Sequence, residues 1–179
     1  MSNIEIRNIQ NKDITSVLNI YSHYVLNTAI SFEYETPSIE EFTDRVKNIT
    51  TKYPYLVAVE NGVIVGYAYA ATFINRKAYD RSCELTIYLD KNHTKKGLGK
   101  LLYGELEKRL KEIGILNLYA CIGVPDKEDE FLNFNSYEFH KHLGFNEVGK
   151  FTKCGYKFNR WYNMVWMEKL IGKHETIPS

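Results

Sequence analysis

The sequence predicts a mixed α/β domain built around one central sheet, and three observations carry that prediction. Strand-like and helix-like apolar periods follow one another in the order β-α-α-β-β-β-α-β-α-β-β. The dipeptide Asn61-Gly62 joins two β-rich runs, a strong hairpin signal. A stripe of Leu98, Leu101, Leu102, Leu106, Leu110 and Ile113 marks a long amphipathic helix directly after a strand-like segment.

Each element has its own signal. Ile4-Glu5-Ile6 alternates as a first strand, and Asp13 is placed to cap a helix whose stripe is Ile14, Val17, Leu18, Tyr21, Tyr24 and Val25. Phe32-Glu33-Tyr34 reads as extended. Ser38 and Glu41 form a capping box for a helix burying Phe42, Val46 and Ile49. Residues 55–60 and 63–72 are the hairpin strands, and 84–89 is the next strand. Glu105 with Arg109 and Glu107 with Lys111 support the exposed side of the long helix, which Gly114 ends. Residues 116–122 form a strand and 126–130 an acidic loop. A short helix over 135–143 begins with a capping box of Asn135 and Glu138 and stops at Gly144. Strands over 145–151 and 164–170 close the pattern. No repeat or linker interrupts it, so residues 1–171 read as one domain and 172–179 as a flexible tail.

The bulk composition excludes several classes. The net charge is +1, which gives no global electrostatic case for nucleic acid or an acidic membrane. No apolar stretch approaches a membrane span, and Met1 to Glu5 lacks a basic region and an apolar signal core, so a cytoplasmic protein is expected. Cys83, Cys121 and Cys154 are odd in number and widely spaced with no CxxC, which speaks against a disulfide frame or a metal site. The 14 tyrosines imply either aromatic packing or a partly aromatic pocket.

Lys95-Lys96-Gly97-Leu98-Gly99-Lys100 carries the most chemistry. It lies between a strand and a helix, where glycines let backbone N–H groups converge, the helix start adds its positive dipole end, and lysines add charge. A diphosphate suits that geometry; a plain turn with solvated lysines is the alternative. The run lacks the first glycine and the Ser/Thr of a GxxxxGK[ST] loop, and Gly104 falls one residue late for GxGxxG.

Two segments decide between those readings. Residues Thr94 to Gly99 fit the pattern [RQ]xxGx[GA], except that Thr94 stands where Arg or Gln is usual. Asn133, Ser136, Phe139, His140, Gly144 and Phe145 fit N-x-x-[SA]-x-x-F-[YH]-x-x-x-G-F. In both, the chain resembles the GCN5-related N-acetyltransferases (GNAT). Tyr79-Asp80, Glu84, Ile122-Gly123-x-Pro125 and Cys154-Gly155-Tyr156-Lys157-x-x-Arg160-Trp161-Tyr162 resemble the phosphinothricin and methionine sulfoximine acetyltransferase branch. The similarity runs from about Ile4 to Leu170; the longer acidic loop, Asp126 to Leu132, departs from it and is expected to alter the rim of an entrance.

The resemblance implies a splayed mixed sheet flanked by helices, acetyl-CoA as co-substrate, no metal, a small-molecule amine acceptor and a homodimer. It implies that Lys95, Lys96, Gly97, Leu98, Gly99 and Lys100 hold the diphosphate, and that Ile87, Tyr88, Leu89 and Asn133 meet the pantetheine arm. Glu84 is the candidate general base: it interrupts an apolar strand, where partial burial would raise its basicity, or it is an edge carboxylate facing solvent. His140 stands where many relatives have a tyrosine that protonates the leaving thiolate; a structural histidine is the alternative. Phe32, Arg76 and Tyr79 are candidate acceptor contacts, with Tyr156 and Trp161 as further pocket walls or packing residues. The competing functions are a non-catalytic acyl-CoA-binding module and a protein or peptide N-acetyltransferase.

Overall fold

The computed structural model describes residues 4–94 and 97–175. Its elements are β1 (Ile4–Asn8), α1 (Ile14–Asn27), α2 (Ile39–Thr50), β2 (Tyr55–Glu60), β3 (Val63–Thr72), β4 (Ser82–Leu89), α3 (Leu98–Glu112), β5 (Asn117–Val124), α4 (Asn135–His142), β6 (Asn146–Lys157) and β7 (Arg160–Leu170). This is the expected order of strands and helices. The seven strands form one mixed sheet in the order β1-β2-β3-β4-β5-β7-β6. Every neighbouring pair is antiparallel except β4 and β5, which are parallel.

Helices cover both faces of the first half of the sheet. On one face, Leu102, Leu106 and Leu110 of α3 pack on Leu56, Ala68 and Leu85. On the other, Val17 of α1 and Phe42 and Val46 of α2 pack on Val57 and Tyr67. Tyrosines fill that second layer: Tyr55 stacks on Tyr69 at 4.7 Å between ring centroids, and Tyr24 meets Tyr88 at 4.9 Å. Packing and pocket lining are therefore both uses of tyrosine here, since Tyr24 and Tyr88 also wall a groove.

The parallel pair is the feature that makes a site. β4 and β5 pair only at Ser82 with Asn117, Cys83 with Leu118 and Glu84 with Tyr119. Beyond Glu84 the strands part, so the sheet is splayed and the β5-facing backbone groups of β4 lose their ladder partner.

Five local expectations are corrected. Asp13 does not cap α1 with its side chain. It is the last residue of the 3-10 turn Asn11–Asp13, and its carboxylate accepts from the Gln10 backbone N–H at 2.8 Å and from Arg7 at 2.6 and 3.0 Å. Ser38 caps α2 through the Glu41 backbone N–H at 3.1 Å, but the Glu41 carboxylate pairs with Arg45. Phe32 to Tyr34 is irregular and pairs with no strand. Asn135 lies inside α4, and it is the Asn133 side-chain oxygen that accepts the Asn135 N–H at 3.0 Å. The last two strands are longer than expected, because bulges between Glu147 and Gly149 and between Phe151 and Gly155 break their alternation while pairing continues past them.

Candidate active site

A cavity of about 240 Å³ opens where β4 and β5 part. Glu84, Thr86 and Tyr88 line it from β4, and Cys121 and Gly123 from β5. Ser31 and Phe32, from the segment after α1, close another side. Its neighbour is a groove of about 630 Å³ walled by Tyr24, Leu89, Thr94, Gly99, Asn133 and Phe139. Ile30, Ile87, Tyr88 and Ser136 line both, so the two spaces adjoin.

Glu84 is the last paired residue of the parallel ladder and the only carboxylate among the described residues lining the smaller cavity. Burial raises its pKa above the ordinary carboxylate value. The carboxylate is half-buried, not facing open solvent.

His140 is 3% exposed on α4. Its Nδ1 lies 2.7 Å from the Ser136 carbonyl oxygen, which can only accept, so Nδ1 carries the hydrogen. Nε2 lies 3.0 Å from the Tyr103 hydroxyl and accepts from it. Burial pulls the imidazole pKa down to about 4, with the Ser136 bond opposing, so the ring is neutral at neutral pH. Its one N–H is therefore tied to a backbone carbonyl. Tyr103 lines the cavity, and sequence reading missed it: within the leucine stripe of α3 it looks like one more core residue.

At the α3 end of the groove, the start of the helix has the backbone geometry that can receive an anion. Gly97 is the N-cap of α3 with φ of 75°, a left-handed conformation costly for other residues. Leu101 N–H is bonded to the Gly97 carbonyl, so the preceding first-turn N–H groups at Leu98, Gly99 and Lys100 have no intrahelical acceptor. A Cβ on Gly99 would lie 2.9 Å from two atoms of the Phe139 ring, so only glycine lets α3 lie this close to Phe139 at the groove wall.

The other predicted residues divide clearly. Ile87, Tyr88 and Leu89 line the groove, and the Leu89 carbonyl accepts the Tyr24 hydroxyl at 2.5 Å. The Leu98 side chain is 2% exposed and packs in the core, so only its backbone can serve a ligand. Lys100 borders a separate cavity of about 190 Å³ with Glu107 and Lys169, whereas Lys91, which the sequence reading did not single out, lines the groove. Lys95 and Lys96 lie outside the described residues. Asn133 lines the groove, but its carbonyl oxygen is engaged at the start of α4, so its amide NH₂ is what it can offer.

Phe32 lies in the smaller cavity, but Arg76 and Tyr79 do not line it within one chain. Arg76 precedes the 3-10 turn Lys77–Tyr79, and Tyr79 packs edge-on against Phe73, which stacks on Tyr119 at 4.2 Å. Tyr156 and Trp161 face each other at 4.9 Å across the β6–β7 hairpin, and both are exposed.

Cys83 is fully buried, and burial, then Glu84, pushes its thiol up to about 12. Cys121 keeps exposed surface yet sits in the concave wall, where the surrounding protein, then Glu84, raises its thiol to about 12 as well. Neither is a thiolate at neutral pH. Among the described residues, no group of three or more His, Cys, Asp or Glu is placed to hold a metal, and no helix is long and apolar enough to cross a membrane.

Residues 6–166 match the acetyltransferase (GNAT) domain family. Over 93% of its length the chain is 32% identical to a phosphinothricin N-acetyltransferase of Streptomyces viridochromogenes, covering 87% of that relative. It is 28% identical to an L-methionine sulfoximine/L-methionine sulfone acetyltransferase of Salmonella typhimurium, over 94% of this chain and 95% of the relative. Among solved structures, a GNAT superfamily phosphinothricin acetyltransferase from Sinorhizobium meliloti in complex with acetyl-CoA superposes with a TM-score of 0.89 at 34% identity, over 98% of this chain and 93% of that one.

Proposed function

The chain belongs to the GNAT acetyltransferase family, and on that premise we propose that it moves the acetyl group of acetyl-CoA to the primary amine of a small amino-acid analogue. Phosphinothricin, methionine sulfoximine and methionine sulfone are the acceptors that its relatives' activities suggest. The observation that carries the reading is the join of two spaces at the strand splay. A groove that Gly99 helps to wall adjoins a small cavity holding a half-buried carboxylate. A cavity of about 240 Å³ is of a size to hold a small amine. A module that only bound acyl-CoA would have no use for Glu84 in that cavity.

Bound acetyl-CoA supplies the activated acyl group and a thiolate leaving group. The chain's residues do the rest. The first-turn N–H groups of α3 receive the diphosphate, with Lys91, Lys95 and Lys96 adding charge around it. The freed backbone of Ile87 to Leu89 and the Asn133 amide align the pantetheine arm. Glu84 takes the proton of the acceptor ammonium, directly or through water, and its raised pKa strengthens it as a base. A backbone N–H of β4 beyond Glu84 faces the acyl oxygen as charge develops there. The departing sulfur leaves as a thiolate and takes its proton from solvent, because the Tyr103 O–H is donated to Nε2 of His140 and the His140 N–H to the Ser136 carbonyl. His140 holds that hydroxyl in place.

A cytoplasmic homodimer belongs to the same proposal. Its support is the exposed apolar surface of β6 and β7, including Val148, Phe151 and Trp161. Arg76 and Tyr79, outside the cavity of one chain, become acceptor contacts only if the assembled dimer brings them to it. The deciding experiment is an acetyl-CoA consumption screen over free amino acids, the three analogues and peptides. Turnover on an analogue is expected; turnover on peptides alone, or on nothing, would overturn the proposal.

A further inference from the structure

The least ordinary side chain outside the reaction centre is Lys157, at the end of β6. It is 3% exposed, and its ammonium donates to three backbone carbonyls: Val25 at 2.6 Å, Thr28 at 2.8 Å and Ser31 at 2.7 Å. An ammonium has three N–H bonds, so each is used. Val25 belongs to the last turn of α1, where carbonyls lack helical partners and the dipole favours a cation. The other two acceptors fix the chain beyond the helix. One side chain thus ties α1 and the segment 28–31 to a strand more than a hundred residues away.

The same strand seats the next residue. A Cβ on Gly155 would lie 2.7 Å from two atoms of the Phe32 ring, and one on Gly123 would lie 3.4 Å from it. Phe32 therefore rests on two glycines and stacks on Tyr162 at 6.4 Å. Ala29 N–H bonds the Phe131 carbonyl at 3.0 Å, and the Tyr21 hydroxyl lies 2.9 Å from Ser31 Oγ. Ser31 and Phe32, fixed by these contacts, face the smaller cavity and not the groove, while Ile30 faces both.

We propose that the end of β6 is a positioning device for the acceptor: Lys157 fixes the main chain of 28–31, Gly155 leaves the seat for Phe32, and together they set how tightly the amine substrate is held. The proposal rests on the reading of the smaller cavity as the acceptor site. Neither residue touches the reacting atoms. Their effect passes through Ser31 and Phe32, which meet the acceptor in its ground and transition states alike. Loosening them weakens binding more than it slows chemistry.

The test uses Lys157→Met and Gly155→Ala in the full chain. The acceptor is whichever of phosphinothricin, methionine sulfoximine, methionine sulfone and the free amino acids the wild type acetylates fastest. Gly155→Ala pushes only on the Phe32 ring, which is partly exposed and can swing aside, so it keeps the fold. If Lys157→Met does not fold, Lys157→Arg replaces it, since a planar fork cannot converge on three carbonyls. The expected result is an acceptor KM raised by about tenfold or more in both variants, a smaller change in kcat, and an acetyl-CoA dissociation constant unchanged by calorimetry. An unchanged acceptor KM in either variant, or acetyl-CoA affinity falling in step, would overturn the proposal while leaving the acetyltransferase reading intact. A wild type that acetylates neither the three analogues nor any free amino acid overturns both.

Discussion

Glu84 stands opposite Tyr119 in the last pair of the parallel ladder, and the sheet opens immediately beyond them. The carboxylate is thereby fixed at the fork, with strand pairing on one side and a cavity on the other. Rigid backbone holds it, which suits a group that must meet an incoming amine in one orientation.

Replacing Glu84 by Gln removes the base but keeps its shape. The expected outcome is a fall in kcat/KM of about a hundredfold or more at neutral pH, with acetyl-CoA affinity unchanged by calorimetry. Equal turnover in wild type and variant removes Glu84 from the mechanism.

The pH dependence has two linked parts. Because burial raises the Glu84 pKa, kcat/KM should rise with pH through a value above the ordinary carboxylate range. Stability should move the other way. The folded carboxyl holds its proton more tightly than the unfolded chain does, so its contribution falls as pH rises from the ordinary value through the folded one. A stability-versus-pH series by urea unfolding should lose that slope in Glu84→Gln.

His140 gives a slope of opposite sign. Its pKa is about 4 in the fold against an ordinary 6.5, so the unfolded chain binds the extra proton between those values. Stability is fully present above about pH 6.5 and is lost as pH falls through about 4, by up to about 3 kcal/mol. Urea unfolding across this window should show it, and His140→Phe should flatten it. An unchanged slope would mean that the imidazole is not buried as a neutral group.

Tyr103→Phe removes the O–H that Nε2 of His140 accepts. A buried acceptor is left unpaired, which costs about 1–3 kcal/mol in unfolding free energy. Because the departing sulfur takes its proton from solvent, the folded variant should keep a kcat near that of the wild type. A kcat lower by about tenfold or more, beyond what reduced folding explains, would give the Tyr103 hydroxyl a part in the transfer.

Gly99→Ala places a methyl 2.9 Å from the Phe139 ring. The ring must move within the groove, and acetyl-CoA affinity should fall by about tenfold, measured by calorimetry. Unchanged affinity would place the cofactor away from the α3 end of the groove.

The order of elements was legible because long apolar stripes and the Asn61-Gly62 turn leave little choice. The caps were less legible. Asn133 and Asn135 both have the chemistry of a cap, and only the path of the chain decides between them. The hairpin of β6 and β7 was underestimated because bulges shift the alternation partway along it. That a glycine turn opens α3 and that Glu84 interrupts an apolar strand were legible because both patterns are local. Tyr103 was not, since a tyrosine in an apolar stripe reads as core until His140 is brought against it. Lys157 and Phe32 were tied to no common purpose in the sequence. Their shared role arises from contacts between segments far apart in the chain, which no local period encodes.

The short seam between β4 and β5 has a thermodynamic consequence. Three paired positions join the first four strands to the last three, so a molecule lodged in the fork would bridge strands that the ladder leaves apart. Ligand binding and folding are then linked by mass action, and saturation at a hundred times the dissociation constant adds about 2.7 kcal/mol of stability. In the free protein, the amides of residues 85–89 and 120–124 that face the fork should exchange hydrogen fastest within the sheet interior, and filling the fork should slow them first.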